Sequence, residues 1–577
     1  MEDYKDEYFE WINREYFDDD TKNELKYIQG NDKEIEDRFF KELQFGTAGL
    51  RGIIGAGTNR MNIYTVRKAT QGLADYIVGQ GENAKNRGVV IAYDSRRMSR
   101  EFSEEAALVL GKNGIKAYLY KELRATPQLS FTIRTLNCIA GIMVTASHNP
   151  AEYNGYKVYW EDGAQIATDQ ASGIIRAIDQ IKDYGSIFPL KMDEAMKKGL
   201  FIYLEEDMDH AYIEEVKKQS LRRDMVEKVA NDFKVVFTPL HGTGNIPVRR
   251  VLKEIGFKNV FVVPEQEHPD PEFSTIEYPN PEDKKAFKMA IELGKEKNAQ
   301  LIIGTDPDCD RVGAVVKDKS GEYVILTGNQ TGALLVDYIF RNLAEKKKIP
   351  PKGVIIKTIV TSEMGANIAE SYGVETLNTL TGFKYIGEKI KEFEETGDRV
   401  FLFGYEESYG YLAGTYVRDK DAVVASMLIC EMAAYYYSKG MNLYEALLAL
   451  YEEYGYYIEG LKSITLAGKE GLEKIANIMD YFRENPPRVI GERKVKFMED
   501  YALQTKIPMD QRKDVEQIKL PKENVMKFIL EDDSWVCLRP SGTEPKLKIY
   551  IGIKARTMIE GQNILGLTMS WVENMIH

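Results

Sequence analysis

CIAGIMVTASHNP, Cys138 to Pro150, joins two kinds of sequence. Its first half, Cys138 to Val144, is an unbroken apolar run of strand length. A strand apolar on both faces belongs inside a sheet that is covered on both sides. Its second half is a polar loop that sets Ser147 beside His148, one of only five histidines in 577 residues. The hexapeptide TASHNP admits three readings: a hydrolytic Ser/His pair, a serine that carries phosphate, or an Asn149-Pro150 turn closing a loop.

The same succession of apolar run and polar loop recurs in GVVIAYD, KVVFTPLHG, QLIIGTDPD, GVIIKTIV, RVFLFGYEES and WVCLRPSG. Between many of these lie segments with helical spacing, such as VRKATQGLADYIVG and EEAALVLGKNG. Strands alternating with helices predict an α/β fold with parallel or mixed sheets, although no repeat of fixed period is visible. Soft boundaries near residues 205, 322 and 452 divide the chain into segments 1–205, 206–322, 323–452 and 453–577. In open α/β sheets ligands bind beyond the carboxyl ends of the strands, so the polar loops are where a site is expected.

Bulk composition narrows the classes. With 44% hydrophobic and 29% charged residues the chain can bury large cores, and a formal charge of -13 argues against general affinity for nucleic acid or anionic membranes. Four scattered cysteines form no CxxC pair and fit a reducing compartment. The acidic start lacks a basic segment leading into an apolar core, so no signal peptide is expected. AVVASMLICEMAAYYY, the most apolar helical stretch, contains Glu431 and falls short of a membrane span. The expectation is a cytoplasmic protein, monomeric or weakly dimeric, that acts on a small molecule.

Four loops carry chemistry. TASHNP lacks the GxSxG elbow of a hydrolase, and a serine directly followed by its histidine is poorly arranged for proton exchange with it. TDPDCDR places Asp306, Asp308 and Asp310 at alternating positions, which can converge on one hard cation such as Mg²⁺ or form a solvated acidic turn. The EF-hand pattern is missing, and Cys309 reads as a small filler. In GYEESYGY, Glu406 and Ser408 lie two apart; in extended backbone both face one way and can clamp sugar hydroxyls, the alternative being a capped helix start. Nearby Arg418 and Lys420 are cations that can face a phosphate. RPSGTEPKLKIY offers Arg539, Ser541, the Gly542 backbone, Thr543 and Lys548 as a phosphate cradle, or else as a surface turn. FGTAGLRG sets Arg51 in a Gly-rich turn that can bring backbone close to an anion, and AYDSRRMS ends a strand with Asp94, Arg96 and Arg97, which read as a helix cap ahead of the alternative, a part in the site.

One reaction uses all these parts: phosphoryl transfer between a serine and a phosphosugar, with a divalent metal at the moving group and a second site for the phosphate that does not react. FGTAGLRG, TASHNP, TPLHG, DPDCDR, GYEESYGY and RPSGTEPK, in this order across nearly the whole chain, resemble the α-D-phosphohexomutase superfamily, and within it the bacterial α-phosphoglucomutase branch related to phosphopentomutases. The resemblance implies three related α/β domains and a smaller C-terminal TBP-like α+β domain around a central cleft. It implies that Ser147 is phosphorylated in the active enzyme and that Asp306, Asp308 and Asp310 bind Mg²⁺, with a phosphoserine oxygen completing the site. Arg311 would contact the phosphoryl group, Glu406 and Ser408 the sugar, and Arg539, Ser541, Gly542, Thr543 and Lys548 the other phosphate. Glucose 1,6-bisphosphate is the implied intermediate and activator. His148 and Lys157, the latter from YNGYK, are the candidates for proton transfer at the sugar hydroxyl.

Two departures from the family pattern stand out. Pro307 and Cys309 occupy places where many relatives carry glycine, and Tyr405 is additional to the GEES form. The expected reaction is the interconversion of glucose 1-phosphate and glucose 6-phosphate. Phosphopentomutase and phosphomannomutase are the alternatives within the class, with a sugar-phosphate sensor and a metal-dependent phosphatase outside it.

Overall fold

The computed structural model describes residues 3–46, 49–466, 468–510, 514–541 and 546–576. The chain folds as two compact units: Met1–Gly328 with Ile386–Phe401 and Ser408–Asn442, and Asn329–Tyr385 with Leu402–Glu407 and Leu443–His577.

The first unit holds two mixed sheets built on one plan. In the six-stranded sheet the order is Gly49–Ile53, Tyr153–Trp160, Ala140–Val144, Val89–Tyr93, Ala117–Tyr120, Phe201–Leu204. Ala140–Val144 runs parallel to Val89–Tyr93 and antiparallel to Tyr153–Trp160. The five-stranded sheet runs Tyr323–Ile325, Val312–Lys317, Leu301–Thr305, Lys234–Thr238, Asn259–Val262. Here Leu301–Thr305 is parallel to Lys234–Thr238 and antiparallel to Val312–Lys317. TASHNP and DPDCDR are therefore the same connection in two sheets: the loop by which an inner parallel strand turns into an antiparallel neighbour. Fully buried strands explain the continuous apolar runs, since side chains on both faces meet a covering layer.

Near the amino terminus, helices Asp3–Asn13, Asp19–Tyr27 and Asp32–Phe39 bury Tyr8, Trp11, Phe17 and Phe39 against Tyr64 and Tyr184. The apolar stretch Ala422–Tyr437 is an internal helix of this unit. Its Glu431 carboxylate accepts the Leu221 N–H at 2.8 Å and the Ser220 hydroxyl. Among the described residues no helix is long and apolar enough to cross a membrane.

In the second unit, Glu375–Thr379 lies parallel to Gly353–Thr358. The carboxyl-terminal part is an antiparallel sheet in the order Tyr456–Thr465, Lys546–Ala555, Trp535–Pro540, Met526–Leu530, Arg493–Asp500, Thr505–Pro508, Glu516–Gln517. Side chains of helix Gly468–Glu484, such as Ile475, Met479 and Phe482, join Ile564 and Val572 of helix Met558–Ile576 in its core. A further cluster packs Ile359, Val360 and Leu380 against Tyr501, Trp535 and Tyr550.

Two sequence boundaries need correction. Tyr323–Ile325 pairs with Val312–Lys317, so the second sheet continues past residue 322. Helix Leu443–Tyr454 runs through residue 452.

Candidate active site

Ser147 is held by its backbone before any side chain acts. It adopts a left-handed conformation, φ +50°, and its N–H donates to Thr145 Oγ1 at 2.8 Å. Thr145 in turn donates to Asp94 Oδ2 at 2.6 Å. Gly155 of the adjoining strand is required here, because a Cβ would lie 2.5 Å from the Thr145 carbonyl oxygen. Around the loop closes Arg96, whose guanidinium donates to the carbonyls of Ser147, Asn149, Pro150 and Tyr153 at 2.5–3.1 Å. Arg96 pairs with Asp94 at 3.2 Å, both side chains fully buried. Burial pushes the Asp94 carboxyl up and the Arg96 guanidinium down, and each is opposed by the charge of the other. Asp94 and Arg96 thus do not cap the following helix, as the sequence suggested; they shape the serine loop.

The aspartate loop is shaped by its own backbone. Asp306 Oδ1 accepts the N–H groups of Asp310 and Arg311 at 3.1 and 3.0 Å, and Cys309 sits at φ +54° with its N–H on the Asp306 carbonyl. Gly242 of TPLHG presses on Pro307, where a Cβ would come within 2.5 Å of backbone, and the following Thr243 donates both N–H and hydroxyl to the Pro307 carbonyl. Cys309 is buried filler within the turn.

The three buried carboxylates converge, each offering an oxygen within 4.8 Å of the others. One oxygen of each, Asp306 Oδ2, Asp308 Oδ1 and Asp310 Oδ1, is buried without a hydrogen-bond partner among the described residues. Unpaired buried carboxylate oxygens are costly, and three hard anionic donors aimed together fit a divalent cation. Burial, followed by the charges of Asp308 and Asp310, holds the Asp306 carboxyl well above its ordinary range. Burial is the largest single influence on Asp308 and would raise it, but Lys157, Asp306 and Lys420 together hold that carboxyl low.

Ser147 faces this cluster. Its hydroxyl donates to Asp308 Oδ2 at 3.1 Å, and Lys157 Nζ reaches Ser147 Oγ at 2.6 Å and Asp308 Oδ2 at 2.8 Å. Thr126 adds a bond to the same Asp308 oxygen at 3.2 Å. Beside them His148 keeps Nδ1 buried and without a partner among the described residues. Burial, then Arg311 and Arg51, hold its imidazole well below the usual range, so it is neutral near pH 7. Arg51 donates to Asn149 Oδ1 at 3.3 Å, and Arg311 pairs with Glu282 at 2.5 Å.

Other expected residues are placed differently. Arg418 is enclosed: its side chain is 0% exposed, bonded to the Thr415 and Val417 carbonyls and paired with Glu394. Lys420 stands on Asp310 and Asp419, 3.1 Å from each, and so belongs to the aspartate cluster. Glu406 and Ser408 do not share one face of a strand, because the strand Val400–Glu406 ends at Glu406 and Ser408 lies in the turn that follows. Glu406 accepts the Gly382 N–H at 2.9 Å, while Glu407 accepts the Thr358 and Thr361 hydroxyls at 3.1 and 3.2 Å. Tyr405 is buried: its ring fills the space beside Gly332 and Gly365 in the core.

In the C-terminal sheet Arg539 and Lys548 are directly paired across neighbouring strands, and Arg539 Nε lies 3.2 Å from Glu523. Ser541 N–H closes the hairpin on the Lys546 carbonyl at 2.7 Å. Gly542 and Thr543 lie outside the described residues.

Comparison with known proteins assigns the class. Models of the four phosphoglucomutase/phosphomannomutase domains match in order: α/β/α domain I at 42–185, domain II at 210–321, domain III at 327–454 and the C-terminal domain at 504–561. The chain belongs to the phosphoglucomutase/phosphomannomutase family, with three α/β domains and a C-terminal domain, and is a mutase of the isomerase class. It is 40% identical to the phosphoglucomutase of Staphylococcus aureus strain MRSA252 over 92% of both chains. It is likewise 40% identical to that of Staphylococcus haemolyticus, over 90% of this chain and 91% of the other. Among solved structures, the open form of pp63/parafusin, a phosphoglucomutase from Paramecium, has the same fold with a TM-score of 0.67 at 18% identity, covering 92% of this chain and 95% of that one. A phosphoglucomutase/phosphomannomutase family protein from Burkholderia thailandensis gives 0.64 at 18% identity, covering 92% and 97%.

Proposed function

We propose that the protein interconverts α-D-glucose 1-phosphate and glucose 6-phosphate through a phosphorylated Ser147 and a glucose 1,6-bisphosphate intermediate. The observation that carries this reading is the serine hydroxyl bonded to Asp308 within a cluster of three carboxylates, each with one buried oxygen unpaired among the described residues. Similarity over nine-tenths of the chain to the Staphylococcus proteins named phosphoglucomutase supports glucose over the other sugars in this reading.

Asp306, Asp308 and Asp310 would hold the divalent cation, Mg²⁺ by the hardness of the donors, together with an oxygen on Ser147. When bound, the cation neutralises charge on the phosphoryl group in transit. In the first half-reaction the sugar 6-hydroxyl attacks phosphorus, the bond to Ser147 Oγ breaks and the bond to O6 forms. His148, neutral and with an unpartnered Nδ1, takes the hydroxyl proton. Lys157, already donating to Ser147 Oγ, returns a proton to the serine oxygen as it departs. The second half runs these steps in reverse on the 1-phosphate of the bisphosphate. Arg51 and Arg311 stabilise the transferring group. Glu406 and Ser408 hold the sugar hydroxyls, and Arg539, Ser541, Gly542, Thr543 and Lys548 hold the phosphate that does not react.

The test is kcat/KM for glucose, mannose and ribose 1-phosphates, each with Mg²⁺ and a trace of the matching bisphosphate. A tenfold lead for glucose 1-phosphate, about 1.4 kcal/mol of discrimination, supports the assignment. A lead for the pentose would keep the mechanism and overturn the sugar, and steady release of inorganic phosphate would overturn the mutase reading.

A further inference from the structure

TPLHG takes no part in the steps above, yet its backbone is strained. Leu240 and His241 are consecutive non-glycine residues at φ +46° and +62°, a conformation that persists only where the surroundings enforce it. The strain aims the His241 ring at the loop His268–Thr275. Its Nδ1 lies 3.0 Å from the His268 carbonyl and its Nε2 2.8 Å from Thr275 Oγ1, which also accepts from Gln266 at 3.1 Å.

Between these anchors the chain turns on Asp270, whose carboxylate accepts the N–H groups of Glu272 and Ser274 at 3.0 and 2.8 Å. Phe273 is thereby set in a left-handed conformation, φ +47°, and is 1% exposed although Glu272 and Ser274 on either side are exposed. Its ring lies 5.0 Å from the Arg96 guanidinium and 6.3 Å from the His241 ring. Glu272 meanwhile pairs with Arg97 at 2.7 Å, so two adjacent loop residues grip two adjacent arginines.

A guanidinium that donates along its edges to four carbonyls has its planar faces left to restrain it, and an aromatic ring does that best in a desolvated setting. We propose that Phe273, fixed by His241, is a positioning residue for the Ser147 loop. Its ring holds Arg96 on the carbonyls of Ser147, Asn149, Pro150 and Tyr153, and so holds Ser147 Oγ opposite Asp308. The catalytic consequence rests on the proposed mutase reaction, whereas the positioning itself does not.

The experiment compares wild type with Phe273→Leu, which keeps an apolar side chain but removes the ring, and with Phe273→Tyr, which restores it. Amide hydrogen exchange across 146–153 is expected to rise about tenfold in Phe273→Leu while exchange across 306–311 stays unchanged. The value of kcat is expected to fall about tenfold with KM within about twofold, and Phe273→Tyr to recover both. Should Phe273→Leu fail to fold, Thr275→Val, which removes the Thr275 hydroxyl's bonds to His241 and Gln266 and leaves the Phe273 ring in place, is expected to give the same pattern about threefold in size. Unchanged exchange at 146–153, or an equal rise throughout the protein, overturns the positioning; raised exchange with unchanged kcat overturns its catalytic role. Absent turnover in the wild type would count against the mutase reading and leave the exchange arm to decide the positioning.

Discussion

Ser147 donates its hydroxyl to Asp308 across 3.1 Å, although the two lie 161 residues apart. This contact joins the corresponding loops of two sheets built alike, and it sets a nucleophilic oxygen beside a carboxylate with one further oxygen to spare. Replacing Ser147 by Ala should lower turnover by more than about 10³-fold while leaving the fold intact, since loss of a nucleophile removes the covalent route entirely. Steady-state assays alongside thermal melts would check this.

Asp306→Asn should have opposite effects on stability and on metal binding. Three buried carboxylates repel one another without a cation, so the neutral side chain should stabilise the metal-free protein, by about 1–3 kcal/mol. The rise in Tm that Mg²⁺ gives the wild type should shrink or vanish in the variant. Melts with and without Mg²⁺ decide it; equal Mg²⁺ shifts in both proteins would contradict the assignment of the ligand.

Arg418→Lys should lower Tm with KM for the sugar phosphate changed less than about twofold, because its guanidinium is spent on two carbonyls and Glu394. A large rise in KM would return Arg418 to the list of substrate contacts.

In the second unit Glu363 pairs with Lys357 at 3.0 Å and lies 3.6 Å from Lys527. Burial would raise the Glu363 carboxyl, but the two ammonium groups hold it below its ordinary range. A depressed folded-state pKa means stability that is fully present above the unfolded value, about 4.3, and lost as pH falls through the lower folded value. Glu363→Gln should therefore destabilise by about 1 kcal/mol at pH 7, solvent screening weakening a pair whose carboxylate is partly exposed, and the gap to wild type should narrow below about pH 4.3. Urea melts across pH 3–7 would show it.

What the sequence made legible depended on chain distance. Ser147 and the three aspartates stood out because each loop directly follows a buried strand, so local pattern carried the information. Arg96 looked like a helix cap because its real partners are carbonyls 51 to 57 residues away. Phe273 gave no signal at all: a lone aromatic in a polar loop says nothing of the arginine it covers. The surroundings of Arg418 and Lys420 were illegible for the opposite reason, since RDKD resembles an exposed basic turn and its burial depends on Glu394, Asp310 and Asp419. The shared-face argument for Glu406 and Ser408 failed on a single local point, the end of the strand at Glu406, which leaves their proposed role to the loop rather than to a strand.

The central claim is that Ser147 carries phosphate between two positions of one sugar. Incubating the protein with Mg²⁺ and glucose 1,6-bisphosphate labelled in its phosphates, then locating the label by peptide mass spectrometry, tests it most directly. The account predicts label on Ser147, lost to either glucose monophosphate on a chase and absent from Ser147→Ala. Label on another residue, or full turnover with Ser147 never labelled, would contradict it.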